Sequence, residues 1–270
     1  MTDEGLFPGK VVFGGPLSPV GWSVGFVEAS LSDVIEAIDR HEAWLETTDP
    51  MEEHMEELRR HGVRVETSYG PLARRRVEAP RYRRTELGRE PILEQLARLD
   101  PLQTPSMREL VVAHGESWTA NFTNDHLGGD SDSWVSNRVD ALECRGVIAT
   151  HIPAGHYPYP ATQFELFGPG GDALGYLRTI SAGIYDEGTW RFDAHGEVQP
   201  FEDVARYDER RISDRLSRDL LLRYLAALGI EADNPDAYGQ GILIETIADW
   251  RPRTSSIAAT QREHGIAGAD

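Results

Sequence analysis

Between residues 22 and 28, Trp22, Val24 and Phe26 alternate with smaller or polar neighbours, the period of two expected of a half-buried strand. Residues 10–13 read as its partner in a hairpin at a sheet edge, across the breaks at Gly14-Gly15-Pro16 and Pro19. From Leu31 the period changes. Leu31, Val34, Ile35, Ile38, His41 and Leu45 recur at spacings of three and four, one stripe of a helix that Ser30 or Ser32 caps and that ends before Pro50. A second helix is predicted over 51–61, stopped by Gly62, with 63–66 returning as a strand. A short helix over 90–99 precedes Pro101 and Pro105, which mark a junction because proline fixes its own φ and restricts its predecessor.

After the junction the pattern is strand-rich. Segments 108–113, 117–123, 146–152, 162–167, 173–181 and 189–193 carry β-branched or aromatic residues between glycine, proline and acidic turns. A helix over 130–143 interrupts them, with Trp134, Val135, Val139 and Leu142 at helical spacing and Asp130 or Ser131 as cap. Residues 201–211 read as helical, and Ser217 caps a helix whose Leu220, Leu221, Tyr224, Leu225 and Leu228 end at Gly229. Residues 241–250 fit a strand or a buried helix equally well.

The implied fold class is α+β, a mainly antiparallel sheet with helices packed on one side, plus an N-terminal strand-helix region. Short turns between successive strands from 146 to 193 exclude a parallel sheet, whose neighbours need long crossovers. The regions are 1–100, containing an arginine-rich loop at 74–89; 101–250, the sheet domain; and 251–270, a small and polar flexible tail. Whether the first two are separate domains or one continuous layer stays open. Gly21-Trp22-Ser-Val-Gly-Phe26 and Ser117-Trp118-Thr-Ala-Asn-Phe122 are alike, each followed by a helix, through duplication or chance.

Charge narrows the partners. The 270 residues carry a formal net charge of −18, which opposes binding to nucleic acid or anionic lipid and favours a basic partner. Within this acidic chain, 74–89 holds seven arginines against two glutamates, read as a solvated loop that pairs with the protein's own carboxylates. No apolar run approaches the ~20 residues that span a bilayer, and the single Cys144 excludes an internal disulfide. The N-terminus lacks the plan of a signal peptide, so a cytoplasmic location is expected.

No catalytic signature emerges. His151 and His156, with His126, Asp130 or Asp132, offer nitrogen and oxygen donors, but the plans that mark metal sites are missing, and neither metal nor cofactor is expected. Asn124 to Asp132 has alternating oxygen donors and glycines, yet lacks the closing glutamate of a calcium loop and reads as an Asx-rich turn. The glycines at 168–175 suit a turn rather than a phosphate cradle, and Cys144 reads as packing rather than as a nucleophile.

The run Gly188-Thr-Trp190-Arg-Phe192, Gly196-Glu197, Pro200-Phe201-Glu202, Tyr207, Arg210-Arg211, Asp214-Arg215-Leu216, Leu221, Tyr224-Leu225 and Leu228-Gly229-Ile230 resembles the C-terminal segment of uncharacterised bacterial proteins, some with toxin-neutralising immunity roles. The resemblance covers residues 188–230 and carries over no functional residue. It implies an immunity-type inhibitor that covers a basic toxin domain, with Trp118, Asp125, Asp130, Asp132, Trp134 and Tyr207 as candidate contacts read from acid and aromatic content. The alternative is a small-molecule-binding protein or hydrolytic enzyme that uses Asn124 to Asp132 with His151 and His156.

Overall fold

A computed structural model describes residues 10–47, 60, 81–126, 131–154, 159–185, 188–247 and 251–266. The helix expected over 51–61 (all but Arg60), the strand over 63–66, Arg74 to Arg76, Asp130 and His156 lie outside the described residues.

Strand β1 (Ser23–Val27) has five buried residues, which requires cover on both faces. It is therefore a central strand and not a hairpin edge, paired antiparallel with β5 (Trp118–Thr123) on one side and β6 (Gly146–Ile152) on the other. Residues 10–13 form no strand, because their groups bond elsewhere: Val11 N–H donates to Asp233 Oδ1 (3.1 Å) and Phe13 N–H to Gly21 O (3.0 Å).

The other strands of this sheet are β2 (Arg81–Gly88), β4 (Arg108–His114), β7 (Ala161–Phe167), β8 (Tyr176–Ile184), β9 (Trp190–Gly196) and β10 (Tyr238–Ile247). Their order is β2-β10-β4-β5-β1-β6-β7-β8-β9, so strands from both halves of the chain share one continuous antiparallel sheet. The meander from β6 to β9 follows the sequence pattern, and residues 241–247 are strand. Residues 81–88 form an edge strand where a loop was expected. Arg83 and Arg84 nevertheless pair with the protein's own acids, Arg83 with Glu245 and Arg84 with Asp39 and Glu42.

Helices cover both faces of the sheet rather than one. Helix α1 (Leu31–Thr47), capped by Ser30 Oγ accepting from Asp33 N–H (3.2 Å), and α3 (Asp132–Leu142) bury Val34, Ile38, Trp134, Val135 and Val139 against Val27, Val111, Ile148 and Ile244. A Cβ at Gly146 would lie 2.5 Å from side-chain carbons of Val135 and Val139, so the glycine lets α3 approach the strand closely. On the opposite face α2 (Ile92–Ala97) and α5 (Arg218–Ala227) pack with Val24, Phe26, Leu110, Phe122 and Phe164.

Two further segments depart from the sequence pattern. Residues 201–211 form a 3₁₀ turn at Val204–Asp208 in place of a helix, because the buried Glu202 carboxylate organises the chain around itself. It accepts from Arg178 (2.9 and 2.7 Å), Gln199 N–H (2.7 Å) and Tyr207 Oη (2.6 Å). A short helix α4 (Ile212–Arg215) follows. The expected flexible tail is ordered over 251–266: β11 (Arg253–Ser255) pairs with β3 (Leu102–Thr104), and α6 (Ile257–His264) donates from Gln261 Nε2 to the carbonyls of Pro16 and Ser18. Among the described residues no helix is long and apolar enough to cross a membrane.

Candidate binding cleft at the β4–β5 turn

The turn Gly115-Glu116-Ser117 joins β4 to β5 at one end of the sheet, and Gly115 takes the positive φ (+58°) that such a turn favours. Residues 228–237 are fastened over it. Gly115 N–H donates to Ala237 O (2.8 Å), and Trp118 Nε1 donates to Leu228 O (3.1 Å). Two adjoining cavities result. One, of about 530 Å³, is walled by Glu28, His114, Glu116, Trp118, Glu231 and Asp236; the other, of about 810 Å³, runs towards α1 along Ile35, Glu36, Asp39 and Arg89. They share Gly115, Asp236 and Ala237 and make one cleft.

Among the described residues six carboxylates line it, Glu28, Glu36, Asp39, Glu116, Glu231 and Asp236, against the single guanidinium of Arg89. Glu28 is held bidentately by Arg145 (2.6 and 2.7 Å), Glu36 pairs with Arg40 (3.2 Å), and Asp39 with Arg84. Glu231 accepts from Asn234 Nδ2 (2.7 Å). Among the described residues Glu116, Glu231 and Asp236 stand in no ion pair.

His114 adds no positive charge to this wall. Its ring is buried edge-on between Phe26 (centroids 5.5 Å apart) and Tyr238 (4.5 Å), and burial lowers its pKa to about 4 against the opposing pull of Glu231. Neither ring nitrogen has a hydrogen-bond partner among the described residues, so the imidazole is neutral at pH 7. Burial and the nearby Glu28 push the Cys144 thiol up to about 11, which leaves it protonated and a poor nucleophile. The chemistry of the cleft is therefore attraction of cations.

The residues singled out from sequence do not converge. Trp118 is only 4% exposed and its indole N–H is already bonded; Trp134, 6% exposed, lies on the opposite face of the sheet beneath the Arg138 guanidinium (5.2 Å to the ring centroid). Tyr207 is half-buried, donates to Glu202 and packs on Phe192 (5.0 Å). Burial removes Trp118 and Trp134 as anchors, and the Tyr207 hydroxyl is committed to Glu202. Asp125 bridges to Gln103 beyond the far end of β5, Asp132 opens α3, and Asp130 lies outside the described residues. For the alternative site, the Asn124 amide is engaged by Ser106, Met107, Arg108, Pro101 and Gln103, and the buried His151 bonds Thr162 Oγ1 through Nδ1 (2.9 Å).

Sequence reasoning missed Glu116, Glu231 and Asp236. Their one signal is acid within two turns, Gly115-Glu116 and Glu231 to Asp236, and only the tertiary fold brings the two turns together. No family model matches this chain, nor does any curated protein or solved structure.

Proposed function

We propose that the protein is a cytoplasmic acidic binding protein that receives a basic protein partner at this cleft, in the manner of an immunity-type inhibitor covering a basic toxin domain. The observation that carries the reading is the cleft's charge: six carboxylates against one arginine, three of them in no ion pair among the described residues. Carboxylates left unneutralised beside a concave surface concentrate negative potential there, which attracts lysine and arginine side chains and selects against anionic ligands. The −18 net charge extends the same attraction over the molecule.

A fluorescent lysine- and arginine-rich peptide titrated against the protein tests the reading. Neutralising Glu116→Gln, Glu231→Gln and Asp236→Asn together should weaken binding about tenfold, the loss of three contacts of roughly 0.5 kcal/mol each. Neutralising the exposed Glu94, Asp140 and Glu197 in the same way should cost far less. Equal losses from both triple variants would reduce the interaction to overall charge and remove the cleft from it.

A further inference from the structure

At the far end of β5 from the cleft, the fold joins three donors that the sequence keeps apart. One ring nitrogen of His126, one of His264 and a carboxylate oxygen of Glu263 lie within 4.8 Å of one another, the imidazole centroids 5.9 Å apart. Both imidazoles are half-buried and Glu263 is exposed. We propose that these residues form a zinc site, with solvent in the fourth position.

The donor set selects the metal. Two imidazoles and one carboxylate suit zinc and its late transition-metal neighbours, whereas calcium and magnesium favour all-oxygen shells. Zn–N and Zn–O bonds of ~2.0–2.2 Å in a tetrahedron place donors roughly 3.3 Å apart, so closure from 4.8 Å is a contraction of about 1.5 Å, on the scale of side-chain rotation. His264 ends α6, and Gly265 closes that helix in the left-handed conformation (φ +65°). The aligned peptide dipoles of α6 leave a partial negative charge at this end, which favours a cation beside it.

The two ligand-bearing segments are braced by one stretch of chain. Asp100 Oδ1 accepts from Ile257 N–H (2.8 Å) at the start of α6. Pro101 O and Gln103 Oε1 accept from Asn124 Nδ2 (2.9 and 2.8 Å), two residues before His126. Asn124 Oδ1 in turn accepts from Ser106 Oγ and the amides of Met107 and Arg108, all at 2.9 Å. Residues 100–103 thus tether both the start of α6 and Asn124, which holds the two ligand-bearing segments to one stretch of chain. Bound zinc would clip α6 to the end of β5.

Calorimetric titration of the chelator-treated full chain with zinc chloride should give saturable binding at one ion per chain. His126→Ala and His264→Ala should each weaken it at least tenfold, and Glu263→Gln to a smaller degree, while the exposed His195→Ala leaves it unchanged. On the unmutated protein, zinc should shield His126 and His264, but not His195, from diethyl pyrocarbonate as read by peptide mass; this readout stands even where a variant fails to fold. Absence of one-to-one binding, survival of that binding in the His126→Ala/His264→Ala double variant, or equal modification of the three histidines with and without zinc would each overturn the proposal.

Discussion

His114 illustrates what a single buried titratable ring imposes on the molecule. In the unfolded chain its imidazole takes up a proton near its ordinary value of 6.5, but in the folded chain burial holds that event down to about 4. As pH falls through this window the unfolded state gains a proton that the folded state refuses. Stability is therefore lost between pH 6.5 and 4, by about 3 kcal/mol in total. His114→Phe keeps the ring contacts with Phe26 and Tyr238 and has nothing to protonate. Urea unfolding from pH 7 to pH 4 should show the wild type losing about 3 kcal/mol relative to the variant. The pKa of Glu109, raised by burial, acts in the opposite sense but is common to both proteins and cancels in the difference. Parallel pH profiles would mean that the folded state protonates His114 as readily as the unfolded one. Composition could not announce this residue. A histidine at the end of a strand is compatible with any exposure, and the aromatic cage that buries it comes from β1 and β10, remote in sequence. Trp118 and Trp134 show the same limit in reverse: aromatic type suggested anchoring, and two covered sheet faces drew them inside.

At the scale of elements, legibility follows how local the deciding interactions are. Helix α5 declares itself, since Ser217 Oγ accepts from Leu220 N–H (3.3 Å) and Leu220, Leu221, Tyr224 and Leu225 face the core. Leu225→Ala should lower the unfolding free energy by ~2–5 kcal/mol, measured by denaturant titration, because the cavity opens where the side chain is fully buried. Arg223→Ala, one face round the helix and exposed, should change it by under ~0.5 kcal/mol; a loss that small at Leu225 would contradict the packing. Where distant partners decide, the pattern fails. Residues 241–247 become strand through pairing with β2 and β4, and 201–211 escape a helix because Arg178 draws Glu202 inward. Helix α6 is a different case: its Ser256 cap and Gly265 stop are readable, but with Ile257, Thr260 and Gln261 as its buried residues it lacks an apolar stripe. The likeness of the Trp22 and Trp118 segments gains a geometry. Their corresponding residues Gly25 and Asn121 pair directly across β1 and β5, and α1 contacts α3, an arrangement that duplication and chance alike allow.

For the whole molecule, the α+β class and the antiparallel meander were legible because short turns permit little else. Cover on both faces was not, since amphipathic helices do not state which side of a sheet they take. Charge is the property that survives this uncertainty. Arg83 and Arg84 are paired with Glu245, Asp39 and Glu42, so part of the arginine-rich stretch is neutralised within the fold. The formal charge of −18 still has to face solvent somewhere, and the cleft beside Gly115 presents part of it at Glu116, Glu231 and Asp236, which stand in no ion pair among the described residues. A long-range field of this kind acts on encounter more than on residence. Raising salt from 0.1 M to 1 M shortens the Debye length from ~10 Å to ~3 Å, so the association rate with an immobilised lysine- and arginine-rich peptide should fall at least about tenfold. Dissociation, governed by contacts at a few ångströms, should change less. Surface plasmon resonance across that salt range separates the two rates. An association rate indifferent to salt would take steering out of the proposed function and leave recognition to the shape of the cleft alone.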